Sequence, residues 1–209
     1  NMKLLERDQC ISDLNTLFEK VKNGNGVFVS VSGEAGIGKT SLVKFFTDQI
    51  ENNYKVYWGI CDDLYTPRPL APLYDIAYQL NGNLITQLDS GIPRPSIFSN
   101  FLNEIQNNEP NIIVIEDIHW ADESTLDLLK FLGRRINKLK TLLIFTYRDD
   151  EIKYDHPLKL ALSTFQSSSI KRIKLNPLSE NAVNTLALNY GKNDSELYAK
   201  TSGNPLLVT

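Results

Sequence analysis

Hydrophobic positions along this chain alternate between two rhythms. Ile11, Leu14, Leu17, Phe18 and Val21 recur at three- and four-residue spacing, which predicts an amphipathic helix opening at Leu4-Leu5-Glu6-Arg7-Asp8. Asn23-Gly24-Asn25-Gly26 stops it and turns the chain into a short β-rich run over 27–32. Further strands are predicted over 55–60, 111–115, 141–147 and 170–175. The run over 111–115 is continuously apolar, as in a strand buried on both faces of a parallel sheet. The run over 170–175 alternates apolar residues with Lys and Arg, which suits an edge strand.

Helical spacing returns between the strands. A helix follows Ser41, and the proline-rich loop 66–72, with Pro67 and Pro72, delivers another over 73–80. Positions 81–95 read as loop, and 97–105 as a short helix. Asp122-Glu123-Ser124-Thr125 supplies helix-start chemistry for an apolar face running from Leu126 through Leu129, Phe131 and Leu132 to Ile136. A helix over 158–165 precedes the last strand. Beyond Asn176-Pro177 only helices are predicted, near 180–190 and 194–202, with Ser179 as a cap. Five strands separated by helices make this an α/β protein: a three-layer sandwich around a mostly parallel sheet. The expected division is a core over 1–175 and the start of a small helical piece over 176–209, left incomplete at Gly203-Asn204-Pro205. Asn1 before Met2 reads as the remnant of an expression tag and carries no fold argument.

Bulk properties narrow the classes of function. With 209 residues the chain can bury a sizeable core. Its formal net charge of −3 argues against direct nucleic-acid contact or a membrane surface. No apolar run approaches the ~20 residues that cross a bilayer, and a leader peptide is not expected. Cys10 and Cys61 lack metal-ligand spacing and read as structural thiols in a reducing compartment, so a cytoplasmic location is expected.

The chemistry sits at strand ends. Gly33-Glu34-Ala35-Gly36-Ile37-Gly38-Lys39-Thr40, followed by Ser41, matches G-x-x-x-x-G-K-[ST] directly after the first strand. In this P-loop the glycines let backbone N–H groups turn inward around phosphates. Lys39 would reach the β- and γ-phosphates, Thr40 would ligate Mg²⁺, and the positive end of the next helix would face the phosphates. Glu116-Asp117 ends the apolar run 111–115 as a Walker B pair. By position, Glu116 would hold Mg²⁺ and Asp117 would orient the attacking water. Side chains alternate along a strand, so both acids reach one site only if the chain bends there. Arg148, at the end of the fourth strand, is either a γ-phosphate sensor or a solvated strand-end charge. Arg134 and Arg135 read as a solvated helix face or as fingers acting on a neighbouring subunit. His119 reads as a satisfied loop histidine, and Trp120 as a packing residue.

Several of these pieces together resemble the STAND-type signalling ATPases of the AAA+ superfamily, in particular the ATPase modules of large ATP-binding LuxR-type regulators. The matching residues are G-E-A-G-I-G-K-T-S-L from Gly33, V-I-E-D-I-H-W-A-D from Val114, T-Y-R at Thr146 to Arg148, H-P-L at His156, L-N-P-L-S from Leu175 and G-N-P-L-L-V from Gly203. The resemblance implies a P-loop NTPase sheet in the order 5-1-4-3-2 and a helical lid after the core. It implies Arg7 near the adenine, Pro205 against the base or sugar, and ATP or ADP with Mg²⁺ as ligands. The family's amino-terminal motif usually has Gly before the arginine and Glu three residues after it; Glu6 and Cys10 stand there here. The implied function is a slowly hydrolysing ATP switch in a larger regulator, with further sensor and output domains and nucleotide-dependent self-association. The alternative is an AAA+ motor or loader turning over steadily in a ring, on nucleic acid.

Overall fold

The computed structural model of the chain describes residues 4–64, 66, 68–192 and 196–209. Asn1, Met2, Pro67 and the start of the helix expected over 194–202 lie outside the described residues. The first half carries α1 (Asp8–Lys22), β1 (Val27–Ser32), α2 (Lys39–Asp48), β2 (Lys55–Ile60), α3 (Ala71–Leu80), α4 (Leu84–Asp89) and α5 (Arg94–Gln106). The second carries β3 (Asn111–Glu116), α6 (Glu123–Gly133), β4 (Thr141–Tyr147), α7 (Pro157–Ser163) and β5 (Ile170–Lys174). The short helices α8 (Glu180–Asn189), α9 (Leu197–Thr201) and α10 (Pro205–Val208) close it.

The strands pair as β2-β3-β4-β1-β5, every pair parallel, which is the order 5-1-4-3-2 read from the other edge. Strand parity divides the core. Val27, Val29, Val31, Ile112, Val114, Leu142 and Ile144 face α1 and α2, against Leu14, Phe18, Leu42 and Phe46. The intervening Phe28, Ile113, Ile115, Leu143 and Phe145 face the opposite layer, with Ile76, Phe101, Leu129 and Leu158. Each such side chain contributes roughly 1.5–3 kcal/mol of burial, and the continuous apolar runs exist because both sheet faces are covered. The edge strand β5 splits its two apolar residues, Ile170 to one layer and Ile173 to the other. Its Lys171, Arg172 and Lys174 are exposed.

Four local expectations are corrected. The first helix starts at Asp8, because Glu6 takes a left-handed φ of 56° and breaks the turn before it. Leu5 instead packs against a third apolar cluster made by Leu178, Ala182, Val183, Ala187 and Val208. Positions 81–95 are not all loop: Leu84 and Leu88, one turn apart and buried, carry the short helix α4. The helix after Asp122 ends at Gly133, and Ile136 belongs to a separate 3₁₀ turn. The end of the chain adds a further helical turn, α10, capped by the Asn204 side chain on the Leu206 N–H. Among the described residues no helix is long and apolar enough to cross a membrane.

The entry to β1 tolerates no side chain. A Cβ on Gly26 would lie 2.1 Å from the Ile136 carbonyl oxygen and 2.7 Å from that of Leu139, both main-chain atoms with little freedom to retreat. Gly26→Ala is therefore expected to cost about 1–3 kcal/mol, read as a lower urea midpoint with an unchanged slope.

Candidate functional site

The ends of three strands, β1, β3 and β4, converge at the carboxyl edge of the sheet, the edge where open α/β folds bind ligands. The P-loop leaves β1 with Gly33, Gly36 and Gly38 at φ of 150°, 75° and 97°, values that side chains rarely adopt. Gly36 is also crowded from outside: a Cβ there would lie 2.6 Å from Leu206 Cβ and 2.9 Å from Asn204 Oδ1. Lys39, only 7% exposed, curls back so that its Nζ donates to the carbonyls of Gly33 and Glu34, each at 2.8 Å. Its burial pulls the ammonium pKa down, against the raising pull of the Asp117 carboxylate.

The two acids separate as the chain bends. Glu116 ends β3 buried, and its Oε1 accepts from the Thr40 hydroxyl at 2.5 Å. Burial pushes its pKa up, partly offset by that bond. Asp117 turns at once into the left-handed region, φ 54°, and its N–H donates to Thr146 Oγ1 at 3.1 Å. Asp117 then borders a cleft of about 390 Å³ together with Lys39, Thr40, Ser41 and Arg148. That volume lies in the range of small-ligand sites. Ala35, Gly36 and Gly38 also line it, whereas Ile37 is packed into the core and Glu34 points to solvent. Glu116 and Thr40 present two hard oxygens side by side, a donor set that fits Mg²⁺. Among the described residues no cluster of three or more His, Cys, Asp or Glu would hold a metal on protein ligands alone.

Arg148 sits at the far wall of the cleft. Its Nη1 donates to Glu151 Oε1 at 2.7 Å, and its guanidinium lies 4.9 Å from the centre of the Trp120 ring. His119 is not the satisfied loop histidine expected: Nδ1 accepts from the Arg148 N–H at 3.4 Å, but the buried Nε2 has no hydrogen-bond partner among the described residues. Trp120 packs as expected and also donates through Nε1 to Glu151. Arg135 folds over the Phe131 ring and donates to the Phe131 carbonyl, and Arg134 is exposed on the same segment. Cys61 is buried, which pushes its thiol pKa up, and Cys10 is half-buried.

The other end of the cleft is apolar. Arg7 is buried and donates to the carbonyls of Ile37 and Asn176, at 3.4 and 2.9 Å, joining the P-loop to the segment before α8. Pro205 lines the same end with Leu5, Leu178, Leu186 and Tyr190. These flanking residues were not singled out by sequence reasoning, because only the fold brings residues 5, 186 and 190 together. Leu186 and Tyr190 do stand four apart near the end of the predicted helix 180–190, which was the one available signal. The contacts of the last helical turn on the P-loop were missed too: Asn204 Nδ2 donates to the Ala35 carbonyl at 2.8 Å, and the Leu206 N–H to that of Gly36 at 3.3 Å.

The sequence profile of the AAA ATPase domain family matches residues 3–145. The chain belongs to the AAA ATPase domain family. The lining residues Lys39, Thr40 and Asp117 fall within the matched residues, and members of that family bind ATP or ADP. An uncharacterised protein of Rhizobium meliloti (strain 1021) is 23% identical over 216 aligned positions, spanning 80% of this chain and 21% of that protein. Among solved structures, the STAND protein with a tetratricopeptide repeat sensor from Pyrococcus horikoshii superposes with a TM-score of 0.59 at 21% identity, over 98% of this chain and 29% of that one. The Orc1 protein of Aeropyrum pernix, solved in complex with DNA, gives 0.65 at 14% identity, over 99% and 58%. At these identities the structural likeness is one of fold. The chain spans about a fifth of the curated relative and under a third of the STAND protein.

The buried Glu116 gives a pH test. A carboxyl whose pKa is raised on folding is neutral in both states below the ordinary value of 4.5 and costs stability once ionised in the folded state. Stability is therefore lost as pH rises from that value through the raised folded pKa. Glu116→Gln keeps an oxygen for Thr40 and removes the charge. It is expected to raise the urea midpoint at pH 7 relative to wild type, with the gain vanishing below pH ~4.

Proposed function

We propose that this chain is the nucleotide switch of a larger signalling or transcription regulator, binding ATP with Mg²⁺ and hydrolysing it slowly. The observation that carries this reading is the pair of bonds from Asn204 and Leu206 to the P-loop carbonyls of Ala35 and Gly36. They tie the loop that would hold phosphates to the helical segment that would move, so occupancy at one biases the position of the other. In this reading residues 1–175 form the ATPase core and 176–209 belong to a helical lid.

The P-loop from Gly33 to Ser41 wraps the phosphates with main-chain N–H groups, at the start of α2. Lys39 exchanges its two carbonyl partners for β- and γ-phosphate oxygens. Thr40 and Glu116 hold Mg²⁺, which when bound supplies positive charge against the phosphates. Asp117 orients the attacking water, and Arg148 reads the third phosphate. Arg7 and Pro205 bracket the base, with Leu5, Leu186 and Tyr190 covering its faces. The reading extends to further domains as partners, nucleotide-dependent self-association and a cytoplasmic location, with no direct nucleic-acid contact.

Two measurements test it. Lys39→Ala is expected to abolish ATP and ADP binding by calorimetry, and retained affinity would remove the phosphate site. Arg148→Ala is expected to keep ADP binding and lower the preference for ATP by about tenfold or more, the worth of one charge-assisted bond. For the motor alternative, turnover near the enzyme median of ~10 s⁻¹ would decide against a switch.

A further inference from the structure

Two donors from two segments converge on one carboxylate, with a buried imidazole nitrogen beside it. Glu151 Oε1 accepts from Arg148 Nη1 at 2.7 Å, and Oε2 accepts from Trp120 Nε1 at 3.2 Å. Oε2 also lies 3.5 Å from His119 Nε2. The His119 ring is fully buried, its Nδ1 accepts from the Arg148 N–H, and burial lowers its pKa. The neutral ring therefore carries its proton on Nε2, towards Glu151. Burial alone would raise the Glu151 carboxyl, yet the bond from Arg148 holds it below its ordinary value.

We propose that Glu151 is a specificity-determining residue: it holds Arg148 by Nη1, and the third phosphate of ATP must take the arginine from it. The inference rests on the reading of Arg148 as the γ-phosphate sensor. The pair is suited to exchange. Both side chains are about one-third exposed, at 31% and 36%, so separating them strands no buried charge. Glu151 keeps the Trp120 N–H when Arg148 leaves, and the arginine's contact with the Trp120 face and its anchored N–H fix where the guanidinium starts. A ligand with only two phosphates has nothing at that wall to outbid the carboxylate, so ADP leaves the pair closed. Glu151 thereby sets a threshold against the third phosphate, narrowing the affinity difference between the two nucleotides while turning it into a displaced ion pair.

Affinities for ADP and a non-hydrolysable ATP analogue test this in wild type, Glu151→Gln, Arg148→Ala and the double variant. Glu151→Gln is expected to raise the affinity ratio in favour of the ATP analogue by about two- to fivefold, the size of releasing one partly exposed ion pair. That gain is expected to disappear in the Arg148→Ala background. An unchanged or lowered ratio in Glu151→Gln overturns the proposal. So does an equal gain in both backgrounds, which would mean that the carboxylate acts on the phosphates through space alone. If Arg148→Ala by itself leaves the ratio unchanged, the sensor reading falls, and this proposal with it. In a Trp58→Phe background, the remaining Trp120 is expected to change its emission with the ATP analogue and not with ADP. Identical spectra for the two nucleotides would also overturn the exchange.

Discussion

A buried ammonium determines the shape of this site. Lys39 sits at the start of α2, almost out of contact with water, and meets that cost by donating to two carbonyls of its own loop. Those bonds hold the loop in a turn whose glycines have positive φ. The Asp117 carboxylate favours the charged form of the same lysine from across the cleft. The loop, the acid turn and the start of α2 are therefore one electrostatic unit, not three neighbouring motifs.

The parallel sheet makes that unit possible. The site needs the ends of β1, β3 and β4 side by side, and strands in the middle of such a sheet are covered on both faces and predominantly apolar. Polar residues inside the sheet are correspondingly few and specific. Thr141 Oγ1 donates to Asn111 Oδ1 at 2.9 Å at the far end, while Thr146 takes the Asp117 N–H at the working end. The latter bond fixes the bend that sends Glu116 to Thr40 and Asp117 to the cleft. Parity alone would have sent the two acids to opposite faces.

The amino-terminal turn carries a side chain at a strained position. Glu6 takes a left-handed conformation that costs a side chain of order 1 kcal/mol. Its carboxylate takes both the Ser179 N–H and the Ser179 hydroxyl at the start of α8, and those bonds lower its pKa. The side chain that strains the backbone thus ties it to the start of α8. The same turn delivers Arg7 to the carbonyls of Ile37 and Asn176. The amino terminus therefore reports on both the P-loop and the segment leading to α8.

Much of this was written locally. The strands, the P-loop and the acid pair were legible because apolar period, glycine spacing and strand-end polarity are short-range properties, fixed within a few residues of one another. The first helix was misplaced by its start because Leu4 and Leu5 continue the apolar period while Glu6 breaks the backbone, and periodicity does not register φ. The α4 helix was hidden because two leucines one turn apart are too few to define a period. What only the tertiary structure decided are the encounters: Glu151 with Trp120 across the β3 and β4 loops, Asn204 with Ala35 across most of the chain, and Leu5 with Leu186 and Tyr190. A sequence states which groups are present and how the chain turns locally. Which distant groups share one carboxylate or one cleft depends on strand order and packing, where no single segment carries the information.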